Sequence, residues 1–109
     1  MDIGIFGGSF NPIHIGHLIV AEEVFQQRGL SKVIFMPTGI SPHKESSDLI
    51  DSFHRYQMVK SAISDNEHLE VSDIEIKRSG KSYTIDTIRI LREMYGEEHN
   101  FYLIMGTDM

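Results

Sequence analysis

Apolar and polar positions along the chain follow two rhythms. Ile3-Gly4-Ile5-Phe6, Val33-Ile34-Phe35-Met36 and Phe101 to Met105 are short runs without a polar break, the pattern of strands buried on both faces. Between them, apolar residues recur at spacings of three and four. Ile15, Leu18, Ala21 and Phe25 give one stripe that starts near Ile15 and stops at Gly29, with Arg28 in the last turn. Tyr56, Val59, Ala62 and Ile63 give a second behind Ser52 as N-cap, and Ile85, Ile88, Leu91 and Tyr95 give a third that ends at Gly96. Leu69-Glu70-Val71 and Ile74-Glu75-Ile76 both alternate, which predicts a weaker strand, bent at Ser72-Asp73 and outermost in the sheet.

Strand and helix therefore alternate from first to last, the order of a parallel sheet whose connections cross its faces. The expected fold is α/β and Rossmann-like, with helices on both faces. In such sheets ligands bind at the carboxyl ends of the strands, and the unusual stretches all fall there: residues 7 to 17, 37 to 44, 78 to 84 and 106 to 108. A dehydrogenase is disfavoured, because the first turn is not G-x-G-x-x-G and the second strand ends in Pro37 rather than in an acidic residue for a ribose.

Composition narrows this picture. With 109 residues, 40% of them hydrophobic and 24% charged, the chain is expected to be one globular domain, residues 1–109. No apolar run approaches the ~18 residues of a membrane span. The first strand leaves no room for a signal peptide, so a cytoplasmic protein is expected. Without cysteine there is no thiolate metal site. The net charge of -6 argues against nucleic acid as a partner.

The chemistry concentrates in Gly7-Gly8-Ser9-Phe10-Asn11-Pro12-Ile13-His14-Ile15-Gly16-His17. Two glycines open the backbone to a ligand, and the N–H groups of the following helix make its first turn an anion site. His14 and His17, three apart, project from one face of that turn into the space where a phosphate would lie. Gly16 between them is expected to admit a bulky ligand. Later, Ser82 is placed to cap a helix and leave the Tyr83 and Thr84 N–H groups facing a carboxylate.

Gly7, Gly8, Phe10, Pro12, His14, Gly16 and His17 match the HxGH signature of the nucleotidyltransferase superfamily, whose histidines contact the triphosphate during nucleotidyl transfer. Three further stretches, Pro37-x-x-x-x-Pro42-His43-Lys44, Ser82-Tyr83-Thr84-x-Asp86-Thr87 and Gly106-Thr107-Asp108, resemble motifs of bacterial nicotinate-mononucleotide adenylyltransferases. Phosphopantetheine adenylyltransferases usually carry threonine at His14, and cytidylyltransferases usually lack Pro12 and the Pro42-His43-Lys44 loop. The resemblance implies transfer of an adenylyl group from ATP to nicotinate mononucleotide, giving nicotinate adenine dinucleotide and pyrophosphate in NAD biosynthesis. It implies His14 and His17 as catalytic residues. Gly7, Gly8, Ser9, Phe10, Gly16, Gly106 and Asp108 would join them at ATP. Pro42, His43, Lys44, Tyr83, Thr84 and Asp86 would take the second substrate, with Lys44 and Arg78 offsetting phosphate charge. Magnesium would arrive mainly on ATP, and no protein-held metal site is expected.

Family members are roughly twice as long, with a fifth strand and a second phosphate-binding motif, so the sequence reads as the N-terminal part of such a domain, truncated after strand four. Two alternatives stay open: a nucleotide-binding fragment without turnover, or another HxGH enzyme such as a phosphopantetheine or nicotinamide-mononucleotide adenylyltransferase. The wholly apolar fourth strand, without a cover for its second face, is expected to drive self-association or homo-oligomer formation.

Overall fold

The computed structural model describes residues 1–10, 12–38, 51–77, 84–96 and 98–104. Within them, in chain order, lie β1 (Asp2–Gly8), α1 (Ile15–Arg28), β2 (Lys32–Pro37), α2 (Ser52–Ala62), β3 (Leu69–Val71), α3 (Ile74–Lys77), α4 (Thr84–Tyr95) and β4 (Asn100–Ile104). The four strands form one parallel sheet in the order β3-β2-β1-β4, so β3 is an edge, as its alternation predicted. β1 and β2 run in register from Ile3 opposite Lys32 to Gly8 opposite Pro37, and β4 flanks β1 from Asn100 opposite Asp2 to Ile104 opposite Phe6.

Successive side chains of a strand point to opposite faces, and here each face has its own core. Phe6, Val33 and Phe35 pack with Ala21 of α1 and Val59 of α2. On the other side Ile3, Ile5, Ile34 and Met36 meet Leu91 of α4, with Ile74 of α3 against the edge of the cluster. Ile3, Val33, Phe35 and Met36 are fully excluded from solvent, and side chains of this kind contribute about 1.5–3 kcal/mol each on burial. Gly4 is small for a reason: a Cβ there would lie 2.9 Å from Leu30 Cδ1, 3.2 Å from Ile104 Cδ1 and 3.3 Å from Val33 Cγ2.

Several expectations change. Gly7 and Gly8 belong to β1 rather than to a turn, and α1 begins at Ile15 behind His14 as N-cap. The buried stripe of α1 centres on Ala21, whose small side chain brings the helix close to the sheet, with Leu18, Val24 and Phe25 partly buried around it; Ile15 is 74% exposed. α2 is capped by Asp51, whose carboxylate accepts from the His54 N–H at 3.3 Å, and Ser52 is already helical. Its buried face carries Arg55, Val59 and then Ile63, while Ala62 is exposed.

The second half of the bent strand is not a strand. The Ser72 N–H still reaches the Phe35 carbonyl at 2.9 Å, but Ser72 Oγ then accepts from the Ile74 N–H and the Asp73 carbonyl from the Lys77 N–H, which turns Ile74–Lys77 into α3. Short polar side chains that bond their own backbone favour such a cap over continued pairing. Gly29 and Gly96 do end their helices, at φ 61° and 96°. β4 is the other edge: Ile104 is buried, but Tyr102 and Leu103 are 39% and 50% exposed.

Candidate functional site

The unusual geometry lies where β1 hands over to α1. The Gly8 carbonyl accepts from the Thr38 N–H at 3.0 Å, which ties the end of β1 to the segment leaving β2. Phe10 then takes φ 47°, the one positive φ of a non-glycine residue among those described. A bulky side chain in that region costs about 1–3 kcal/mol and persists only where its surroundings fix it. Here the ring is 3% exposed, with its centroid 5.4 Å from Phe6, 5.3 Å from Phe35 and 5.0 Å from His17. Core packing holds the strained turn and gives the His17 imidazole an aromatic seat.

The two histidines cap α1 reciprocally. His14 is the N-cap, with extended backbone, and its Nδ1 accepts from the Gly16 N–H at 3.1 Å; His17 Nδ1 accepts from the His14 N–H at 3.0 Å. This has the logic of a capping box built from imidazoles. The rings stack at 3.8 Å between centroids, inclined by 26°. Because each Nδ1 lone pair is taken by a backbone donor, the neutral form of each ring carries its proton on Nε2.

That arrangement corrects the reading of the first turn as a backbone anion site. The Gly16 N–H is spent on His14 Nδ1, and the His17 N–H on the His14 carbonyl at 3.0 Å. These two backbone donors are therefore committed within the cap. Gly16 also acts differently from expectation: a Cβ there would lie 2.9 Å from His14 Cε1 and 3.0 Å from His14 Nδ1, so the glycine makes room for a protein ring. Around Gly7, by contrast, no atom of the described residues lies within 4 Å of an added Cβ.

Sequence reasoning missed two residues here. Arg55 of α2 is only 1% exposed, and its Nη1 donates to the Ser9 carbonyl at 2.7 Å. Burial pushes its guanidinium below the ordinary value and the charge of Asp51 opposes this. Its signal was phase, since Arg55, Val59 and Ile63 recur at helical spacing. Thr38, whose Oγ1 is buried without a hydrogen-bond partner among the described residues, lies beside Gly8. Elsewhere the Thr87 hydroxyl donates to buried Glu75 Oε2 at 2.5 Å, joining α3 to α4.

The structure thus brings Gly7, Gly8, Ser9, Phe10, His14, Gly16 and His17 together at the end of β1. Thr84 opens α4 and Asp86 follows in its first turn. Pro42, His43, Lys44, Arg78, Ser82, Tyr83, Gly106 and Asp108 lie outside the described residues. Among those described, no group of three or more His, Cys, Asp or Glu side chains could hold a metal ion, and no helix is long and apolar enough to cross a membrane.

The parallel sheet has helices on both faces, and the histidine turn follows its first, central strand. The cytidylyltransferase-like family model matches residues 5–109, and the chain belongs to that family. It is 48% identical over 107 residues to the nicotinate-nucleotide adenylyltransferase of Bacillus subtilis (strain 168), a match covering 98% of this chain and 56% of the relative. It is 50% identical over 106 residues to the probable nicotinate-nucleotide adenylyltransferase of Desulfitobacterium hafniense (strain Y51), covering 97% and 51%. The chain therefore spans about half the length of the curated relatives it matches. Among solved structures, Plasmodium falciparum nicotinic acid mononucleotide adenylyltransferase complexed with NaAD shares the fold at a TM-score of 0.78 and 22% identity, over 94% of this chain and 50% of that one.

Proposed function

We propose that residues 1–109 supply the phosphate-binding part of an enzyme that joins ATP to nicotinate mononucleotide, forming nicotinate adenine dinucleotide and releasing pyrophosphate. The observation that carries this reading is the stacked histidine cap at the start of α1, in which both Nδ1 atoms are held by backbone N–H groups and Nε2 is left as the position for a proton. The similarity to nicotinate-nucleotide adenylyltransferases supports the choice of substrates.

A phosphate oxygen of nicotinate mononucleotide attacks the α-phosphorus of ATP, the bond to the bridging α–β oxygen breaks, and pyrophosphate leaves with the electron pair. The nucleophile is already ionised at neutral pH, so no protein base is required and catalysis rests on positioning and charge stabilisation. His14 and His17 donate to oxygens on which charge builds as pyrophosphate departs. Gly7, Gly8, Ser9 and Phe10 let the nucleotide approach the strand end, and Gly106 and Asp108 also contribute to ATP binding. Lys44 and Arg78 offset phosphate charge. Pro42, His43, Tyr83, Thr84 and Asp86 receive the pyridine mononucleotide.

Both histidines have Nδ1 committed to backbone N–H groups, which suits them to act as donors through Nε2 rather than as metal ligands. Magnesium, if bound, would be held mainly by ATP and would supply neutralisation of phosphate charge.

The test uses the complete encoded polypeptide, with ATP and nicotinate mononucleotide as substrates and pyrophosphate release as readout. His17→Ala should lower kcat by ~10²-fold with little change in KM for the mononucleotide, as expected when a transition-state donor is removed. Unchanged kcat would refute the assignment.

A further inference from the structure

We propose that Arg55 is a positioning residue for nucleotidyl transfer: its buried guanidinium, bonded to the Ser9 carbonyl, fixes the turn that seats the His17 imidazole against the reacting phosphates. The proposal rests on the reaction proposed above and adds a residue, on a different helix, that the motif reading did not include.

An arginine buried to 1% exposure is out of place in a face otherwise built from Val59, Phe35 and their apolar neighbours. Desolvating it is costly, and an apolar side chain of similar volume would serve packing alone at least as well. What the guanidinium adds is a charge-assisted bond of 2.7 Å to a main-chain carbonyl 46 residues away. That carbonyl belongs to the peptide that leads into Phe10, the residue at φ 47°. Rotation of the Ser9–Phe10 peptide would release the bond and let Phe10 relax toward an unstrained conformation.

Phe10 in turn meets His17 edge to face, at 5.0 Å and 80°, while Phe6 approaches the same imidazole at 6.0 Å and 70°. The chain of contacts is short: guanidinium, Ser9 carbonyl, Phe10 backbone and ring, His17 imidazole. Gly7, Gly8 and Pro12 belong to the motif itself, whereas this tie reaches the turn from α2. A donor misplaced by about 1 Å can cost 10²-fold in rate, so the loss should appear in kcat while ground-state binding is largely kept.

Arg55→Met and Arg55→Lys in the complete encoded polypeptide decide the matter, read by steady-state kinetics and by the imidazole ¹⁵N resonances of His17. Arg55→Met should lower kcat by ~10- to 100-fold, change either KM by less than about threefold, and shift or broaden the His17 resonances. Arg55→Lys, which keeps the charge and not the fork, should fall between Arg55→Met and the unsubstituted protein. If Arg55→Met does not fold, Arg55→Lys is read by the same two measurements. A kcat within about twofold of the unsubstituted protein, or His17 resonances unchanged in the folded variants, would overturn the proposal. Should the unsubstituted polypeptide itself not turn over ATP and nicotinate mononucleotide, the proposed reaction falls. The His17 resonances then decide the brace alone: a shift upholds it and no shift overturns it.

Discussion

Replacing Gly16 by alanine separates stability from catalysis at the histidine cap. The added methyl would sit 2.9 Å from His14 Cε1 and 3.0 Å from Nδ1, closer than carbon and nitrogen tolerate, so the flexible ring must swing away. Swinging breaks the bond from the Gly16 N–H to Nδ1 and the 3.8 Å stack on His17. Loss of an N-cap bond costs about 0.5–2 kcal/mol. Alanine in place of glycine within a helix returns up to about 1 kcal/mol, and Gly16 has no positive φ to make alanine strained. The two effects nearly cancel, leaving a net change within ~1 kcal/mol, or a Tm shift of at most ~4–8 °C for a domain of this size. Turnover has no such compensation. With one Nε2–H donor moved by an ångström or more, kcat should fall by ~10²-fold. Thermal melting by circular dichroism and initial rates of pyrophosphate release on the same preparations make the comparison. Full activity in Gly16→Ala would show that the position of the His14 ring does not matter to the reaction. A large drop in Tm with matching loss of rate would show that the cap is only structural.

The pair Glu22–His68, 2.5 Å between Oε2 and Nε2, holds the Glu22 carboxyl below its ordinary value, mainly through the hydrogen bond from His68. A depressed folded pKa contributes stability that is complete above the unfolded value and is lost as pH falls through the folded one. Urea unfolding of the protein and of Glu22→Gln should therefore differ near neutral pH and converge as acid passes below the carboxylate range; a constant difference would reject the linkage. If the start of α4 receives the pyridine substituent, its helix terminus favours a carboxylate over a carboxamide, so kcat/KM should be higher for nicotinate than for nicotinamide mononucleotide, and equal values would count against it. Residues 1–109 prepared alone should self-associate through β4, the edge of the described sheet, where Tyr102 and Leu103 are exposed; a monomer across the concentration range of a sedimentation experiment would contradict this.

The parts of the fold that were legible in the sequence are those where one physical signal dominates. β1 and β2 are apolar without interruption because helices cover both faces, and Gly29 and Gly96 announce helix ends because only glycine takes those φ values cheaply. α3 was hidden because Ile74 and Ile76 alternate over too few residues to separate a strand from one helical turn, and the caps on Ser72 and Asp73 decided it. Asp51 and Ser52 both suit an N-cap, and composition cannot rank neighbours by a single residue. At the site, the histidines, glycines and Phe10 were visible as a cluster. Their reciprocal bonds were not, since histidine is not a usual capping residue and the clash that makes Gly16 necessary exists only once the ring is placed. Arg55 escaped because a charge in a helix is ordinarily assigned to solvent, although its phase with Val59 pointed inward.

The central place of β1 has a consequence for how the molecule comes into being. β1, the first of these four strands, is flanked on one side by β2 and on the other by β4, and Asn100 reaches Asp2 through its side-chain amide at 3.0 Å across 98 residues of sequence. During synthesis one border of β1 therefore stays unpaired until almost the whole segment has left the ribosome, and closing so long a loop is a slow event compared with helix formation. Until then the strand that carries the histidine turn remains a half-open template, and a chaperone that binds extended apolar segments would find its target there. Refolding should show a late phase in which protection of the β1 amides from hydrogen exchange rises together with that of β4.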